Sequence, residues 1–374
     1  MEARRHLLRP AALCLLIFGV QFLLFEIGLR TWGSSEAAPA FQGLFADDPA
    51  IGYRLKPGAR VRFTTAEFDT ALTVNNSGVR DDDEIGPKEA NERRILLLGD
   101  SLVMSVQVPF EQTFGELLER RLNAAQSRYR YRVINAGVQG YGPVEELLLL
   151  RSIAPAMQPD VVIETIFVGN DAEEAVTSAP RLDADGRGAT EAIQQSTSTR
   201  LRRLVRRSMV LQVLRLRITA ATSRFAGVTG RPEPPMQSYA AAPAPRIEQG
   251  LAISRRVVDA MISESAVLGA RTAVVLMPAR FQVDDADYAR LRQIVAESGG
   301  ELVRDGATNR FKEALDGIEA PVFDPLPAMR AALPGPDLFF QQTVHLTPRG
   351  HQIVADAVAQ FLRGAGLVEP AARQ

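Results

Sequence analysis

Arg94-Ile95-Leu96-Leu97-Leu98-Gly99-Asp100-Ser101-Leu102 is the stretch on which the reading of this 374-residue chain turns. A continuous apolar run too short for a helix stops at Gly-Asp-Ser, the pattern of a strand buried on both faces and ended by a turn. In open parallel sheets, ligands collect beyond the carboxyl ends of the strands. The run therefore delivers the Ser101 hydroxyl to the working edge of a sheet.

Outward from that strand the pattern alternates. Further strands are expected at 131–135, 160–168, 271–277 and 320–323, with helical periodicity at about 111–126, 143–156, 246–268 and 285–298. A last helix is expected from about Pro348 to Leu362, with Thr347 as N-cap and Pro348 at its first position. Alternating strands and helices predict an α/β fold, a parallel sheet with helices on both faces.

Composition removes several function classes. Net charge is −1, which gives no reason to expect nucleic-acid binding. The single cysteine, Cys14, excludes an internal disulfide and a cysteine-based zinc cluster. Of three histidines, His6 precedes the first apolar segment, so a histidine base in the folded domain is His345 or His351. That scarcity also argues against a multi-histidine metal site.

Arg4, Arg5 and Arg9 precede an apolar stretch from 10 to 29, interrupted by Gln21 and Glu26 and just long enough to cross a bilayer. The basic flank places the N-terminus in the cytoplasm and the remainder outside. The expectation is a single-pass anchor in the inner (cytoplasmic) membrane, catalytic domain on the periplasmic side; a cleaved signal peptide and a buried soluble helix are the rivals. The expected organisation is tip and anchor at 1–30, linker at 31–45, extended lead-in packed on the core at 46–92, main domain at 93–363 and tail at 364–374. Within the main domain, 172–245 is an insertion. Its stretch 200–224 holds eight arginines and no acid, with leucines and valines at helical spacing. It reads as a surface helix over the sheet, as a basic amphipathic helix on anionic lipid or polysaccharide, or as a partner-protein site.

Ser101 is the candidate nucleophile, and a serine hydroxyl needs an adjacent base. His345, in the loop before the last helix, is favoured for that base; His351 falls in the helix's first turn, where packing or capping is its ordinary role. Acyl transfer also needs donors for the developing oxyanion. The Ser101 N–H, the Gly137 N–H and the Asn170 side-chain amide each follow an expected strand.

Together these residues resemble the SGNH hydrolases, also called the GDSL family, over roughly 93–363. Gly99-Asp100-Ser101 is similar to the nucleophile block, Gly137 to the oxyanion glycine, Gly169-Asn170-Asp171 to the asparagine block and His345 to the base block. The resemblance implies a flavodoxin-like three-layer α/β/α sandwich with little lid. It implies esterase, lipase or carbohydrate O-deacylase activity and no metal or organic cofactor. The lead-in, Asp48-Pro49-x-x-Gly52-Tyr53 to Asn76-Ser77-Gly78-Val79-Arg80, is similar to that of membrane-anchored bacterial members. Asp100 and Arg80 are further candidates for touching substrate, a surface salt bridge being the alternative for Arg80.

One position departs from the family pattern. Where the base block has Asp-x-x-His, this chain has Gln342. A glutamine oxygen can accept the histidine's hydrogen bond but supplies no charge to the imidazolium. Three readings stay open: Gln342 serves in a slow pair, another acid such as Asp337 or one from a remote loop replaces it, or the site binds without turnover. The expected function is a membrane-anchored exported serine esterase or O-deacylase acting on glycan- or lipid-linked acyl or acetyl esters through an acyl-Ser101 intermediate. A polysaccharide O-acetyltransferase and a catalytically degenerate glycan-binding or scaffold protein are the alternatives.

Overall fold

The structure, a computed structural model, describes residues 19–28, 41, 43–124, 127–182, 208, 210–211, 234–334 and 337–369. Residues 19–28 are helical throughout (α1). Two hairpins follow, β1 (Phe45–Asp48) with β2 (Gly52–Leu55), and β3 (Arg60–Thr64) with β4 (Asp69–Thr73), both antiparallel. Then comes the alternating domain: β5 (Glu92–Gly99), α2 (Ser101–Met104), α3 (Phe114–Asn123), β6 (Arg130–Asn135), α4 (Pro143–Met157), β7 (Val161–Phe167) and α5 (Asp171–Ser178). It continues with α6 (Pro245–Val267), β8 (Arg271–Met277), α7 (Asp285–Glu297), α8 (Gly306–Ala314), β9 (Val322–Phe323), α9 (Leu326–Ala331) and α10 (Pro348–Gly364).

The five strands from β5 onward form one parallel sheet in the order β6-β5-β7-β8-β9. This is the doubly wound order of flavodoxin-like sheets, in which the winding reverses between the first and third strands. Here those strands are β5 and β7, and Ser101 and Asn170 stand beyond their carboxyl ends. β5 carries the quoted run, and Ile95 to Leu98 are at most 1% exposed because both faces of the strand are covered. Leu96, Leu98, Ile134 and Val162 pack with Val144, Leu147 and Ile153 of α4 and with Ile253 and Val257 of α6. On the other face Ile95, Leu97, Val133 and Ile163 pack with Phe114 and Leu118 of α3 and Val354 and Val358 of α10.

Local chemistry sets the helix starts. The side chains of Thr113, Asp284 and Thr347 accept backbone N–H groups at the first turns of α3, α7 and α10. The Thr113 cap and the 3-10 turn before it make α3 begin at Phe114, later than the expected 111. The lead-in shares the α4-side core: Leu44, Leu55, Phe63, Leu72 and Val79 are buried there beside the sheet.

The expected membrane stretch is described only from 19 onward, and among the described residues no helix is long and apolar enough to cross a membrane. The Arg-rich stretch 200–224 lies outside the described residues except for 208, 210 and 211.

Candidate active site

Ser101 is the first residue of α2, and Asp100 caps that helix, accepting the Leu102 N–H at 2.7 Å. The Ser101 hydroxyl lies 3.4 Å from the other Asp100 oxygen, as donor. Two glycines let this short helix sit against the sheet. Gly99 has φ +155° and a Cβ there would strike the Val103 side chain; a Cβ on Gly137 would collide with Met104 N and Val103.

The carbonyls at the end of α2 are satisfied from outside. Ser105 Oγ donates to Leu102 O at 2.5 Å, and Asn135 Nδ2 to Val103 O at 2.9 Å. Arg80 donates to the carbonyls of Met104, Ser105 (2.6 Å) and Val108 (2.7 Å). The Arg80 backbone N–H in turn bonds to Asn135 O at 3.1 Å. Arg80 is only 1% exposed, and burial pulls its guanidinium down to about 10.

Neither sequence-based reading of Arg80 survives: the side chain reaches neither a surface salt bridge nor open space for substrate, because three inward-facing carbonyls hold it. Asp100 is also corrected. It is 4% exposed and serves as helix cap; burial lifts its carboxyl to about 6.

His345 lies in a turn held by Phe340 N–H to His345 O and Thr347 N–H to Leu338 O. Arg280, just past the carboxyl end of β8, donates to the carbonyls of Phe340 and Gln341 and so ties this turn to the same sheet edge as Ser101. Both imidazole nitrogens are buried and have no hydrogen-bond partner among the described residues. Desolvation lowers the ring to about 4, so it is neutral at pH 7. No hydrogen bond joins it to Ser101.

Gln342 does not take the aspartate's place. It is exposed, and its backbone N–H faces Glu67. Asp337 is occupied too, its carboxylate accepting from Gln341 Nε2 at 2.6 Å. His351 takes the packing and capping role: Nδ1 accepts the Phe114 N–H at 3.2 Å and the ring stacks on Phe114.

The oxyanion candidates are engaged internally. Gly137 N–H donates to Asn135 Oδ1 at 3.1 Å, so an oxyanion would have to exchange that bond. Asn170 Nδ2 donates to Glu174 Oε1 at 2.8 Å, which leaves its second amide hydrogen.

Beneath these groups lies a set of buried acids. Asp100, Glu146, Glu164 and Asp171 are at most 4% exposed, and Glu174 is half-buried. Burial first, and then the neighbouring carboxylates, pushes Glu146 and Asp171 well above the usual range and Glu174 to about 8; burial lifts Glu164 to about 7. The carboxyl oxygens of Glu146 and Glu164 have no other partner among the described residues, and the upward shift of both favours a proton on the pair.

Asn135, Glu174 and the acid pair escaped the sequence reading. Two signals pointed to the pair: Glu164 interrupts an apolar strand, Val161-Val162-Ile163-Glu164-Thr165-Ile166, and Glu145-Glu146 open a helix of leucines. Among the described residues no group of His, Cys, Asp or Glu is arranged to hold a metal ion.

No family model matches the chain, and no curated protein matches it. Solved structures that superpose on it include TesA (11% identity, 73% of this chain and 99% of that chain, TM-score 0.37). A lipase/acylhydrolase from Enterococcus faecalis gives 15% identity, 75% and 100% coverage and TM-score 0.39. The acetyl xylan esterase AlAXEase gives 14%, 72% and 99%, and 0.40.

Proposed function

We propose that this protein is a serine hydrolase of ester bonds, with Ser101 as nucleophile and His345 as base. The observation that carries the reading is a neutral imidazole with both nitrogens uncommitted, tied to the sheet edge at which a helix-capped serine stands. A neutral ring can take the hydroxyl proton as Ser101 attacks an ester carbonyl, then return it to the leaving alcohol. Water repeats the sequence on the acyl-Ser101 ester. Hydrogen bonds between nucleophile and base are often long in unliganded sites and tighten with substrate.

The remaining Asn170 amide hydrogen supports that residue as an oxyanion donor, alongside the N–H of Ser101. No carboxylate bonds to His345, so the pair works as a dyad. An unassisted imidazolium costs turnover, which favours slow over fast ester cleavage. On this proposal the substrate is an acyl or acetyl ester carried on a glycan or lipid. The membrane placement rests on the basic flank before residue 10 and on α1, where Val20, Phe22, Leu23, Leu24, Phe25 and Ile27 are all exposed. That cluster fits a helix seated in lipid.

The same orphan imidazole motivates a second reading, a degenerate site that binds glycan without turnover. Fluorophosphonate labelling of the purified protein separates the two. An active pair is labelled at Ser101 and hydrolyses p-nitrophenyl acetate, and Ser101→Ala loses both. Equal labelling and hydrolysis in wild type and variant would remove the hydrolase reading.

A further inference from the structure

The β3–β4 hairpin touches both halves of the proposed site. At its tip, Glu67 accepts the backbone N–H groups of Gln341 (2.7 Å) and Gln342 (2.9 Å), one on each carboxylate oxygen. Beside it the Phe68 ring meets Phe340, centroids 5.6 Å apart. These contacts fall on the arm of the turn that leads into His345. On strand β4, the buried Thr70 hydroxyl donates to Val106 O at 2.5 Å. Past the strand, Arg80 holds the carbonyls of Met104, Ser105 and Val108. One stretch of 14 residues, 67–80, thus grips the segment just after Ser101 and the segment just before His345.

No other described hydrogen bond links those two segments directly. Arg280 ties the His345 turn to the β8 side of the sheet and Asn135 ties α2 to β6. Leu102 and Val103 share an apolar cluster with Leu338 and Leu346, but among the described hydrogen bonds it is the 67–80 stretch that holds both segments. Two adjacent N–H groups pointing the same way suit a carboxylate, whose oxygens take one each with charge assistance; a glutamine offers a single acceptor oxygen.

We propose that the hairpin is a strap that sets the approach of His345 to Ser101, with Glu67 and Arg80 as its positioning residues. The proposal rests on the Ser–His reading above and extends the catalytic machinery into the lead-in. Neither side chain touches the reacting atoms; each fixes the backbone that carries one of them. Reacting groups must be placed to within fractions of an ångström, so slack in either grip appears as lost rate.

The full-length protein and its Glu67→Gln variant provide the test. Two readouts are taken: the rate of fluorophosphonate labelling together with kcat and KM on p-nitrophenyl acetate, and hydrogen exchange at the Gln341 and Gln342 amides. Expected is labelling slowed by about tenfold to 10²-fold, a matching fall in kcat with KM little changed, faster exchange at both amides, and partial recovery in Glu67→Asp. A merely structural hairpin would lower the melting temperature and leave kcat intact below it. Arg80→Lys should slow labelling similarly; Arg80 is buried and its replacement strains the fold, so the surface-accessible Glu67 carries the test. Wild-type kcat in Glu67→Gln, with labelling still abolished by Ser101→Ala, overturns the strap alone. Labelling that ignores Ser101→Ala overturns both readings.

Discussion

His345 stands without the charged partner that usually fixes a catalytic imidazole. Burial disfavours its protonated form and lowers it to about 4, against an unperturbed value near 6.5. The neutral ring is the working form of a base, so activity is lost only as pH falls through the folded value. The acid limb of kcat/KM should therefore have its midpoint near 4, read from a pH–rate profile. A midpoint at or above 6.5 would show that the ring gains an anionic neighbour in the working complex. At this scale the sequence offered candidate residue types and was silent on their company. Ser101 and Asn170 stood out because their types follow expected strand ends, and His345 because histidines are scarce and it lies just before the last helix. Gln342 and Arg80 were misjudged because spacing cannot tell an exposed amide from a hydrogen-bonded one, or a buried guanidinium from a surface one.

Among the elements, α2 is the most constrained, since four residues cannot hold themselves as a helix. Its position comes from the Asp100 cap, from the carbonyl acceptors filled by Asn135 and Arg80, and from the close approach of Gly137. Gly137→Ala would press a methyl into Met104 N and Val103. It should cost about 1–3 kcal/mol of stability, as overpacking does, and slow Ser101 labelling in the folded protein. Chemical denaturation and the probe together check this; an unchanged midpoint and labelling rate would mean the loop can retreat. The strands and long helices were legible to within a few residues because burial on two faces writes continuous apolar runs, and helices write a 3.6-residue period. The lead-in's grip on the site segments was not legible, since Glu67, Thr70 and Arg80 bind backbone N–H and carbonyl groups there, which no side-chain pattern announces.

Across the whole molecule the buried acids govern how stability responds to pH. Asp100, Glu146, Glu164, Asp171 and Glu174 all titrate higher in the fold than in an unfolded chain. Between the two values the native state holds protons that the unfolded state has released, so stability falls as pH rises through the folded values. His345 and His351 act oppositely, but only below about 6.5, where an unfolded histidine becomes charged. From about pH 6.5 to 8.5 the histidines no longer contribute, and the expected direction is a loss of stability as the raised carboxyls release their protons. The melting temperature should drop by several degrees over that interval, and Glu146→Gln should flatten the slope. A melting temperature that is level or rising would show these groups already ionised in the fold.

The bond between Glu67 and Gln341 spans 274 positions. A chain made from its N-terminus builds the hairpin early and meets the segment it grips only after nine-tenths of synthesis is done. Until then the serine helix can be in place while the base segment has yet to emerge. On the proposed Ser–His reading, hydrolytic competence therefore arrives late, and a chain still being made carries no finished catalyst.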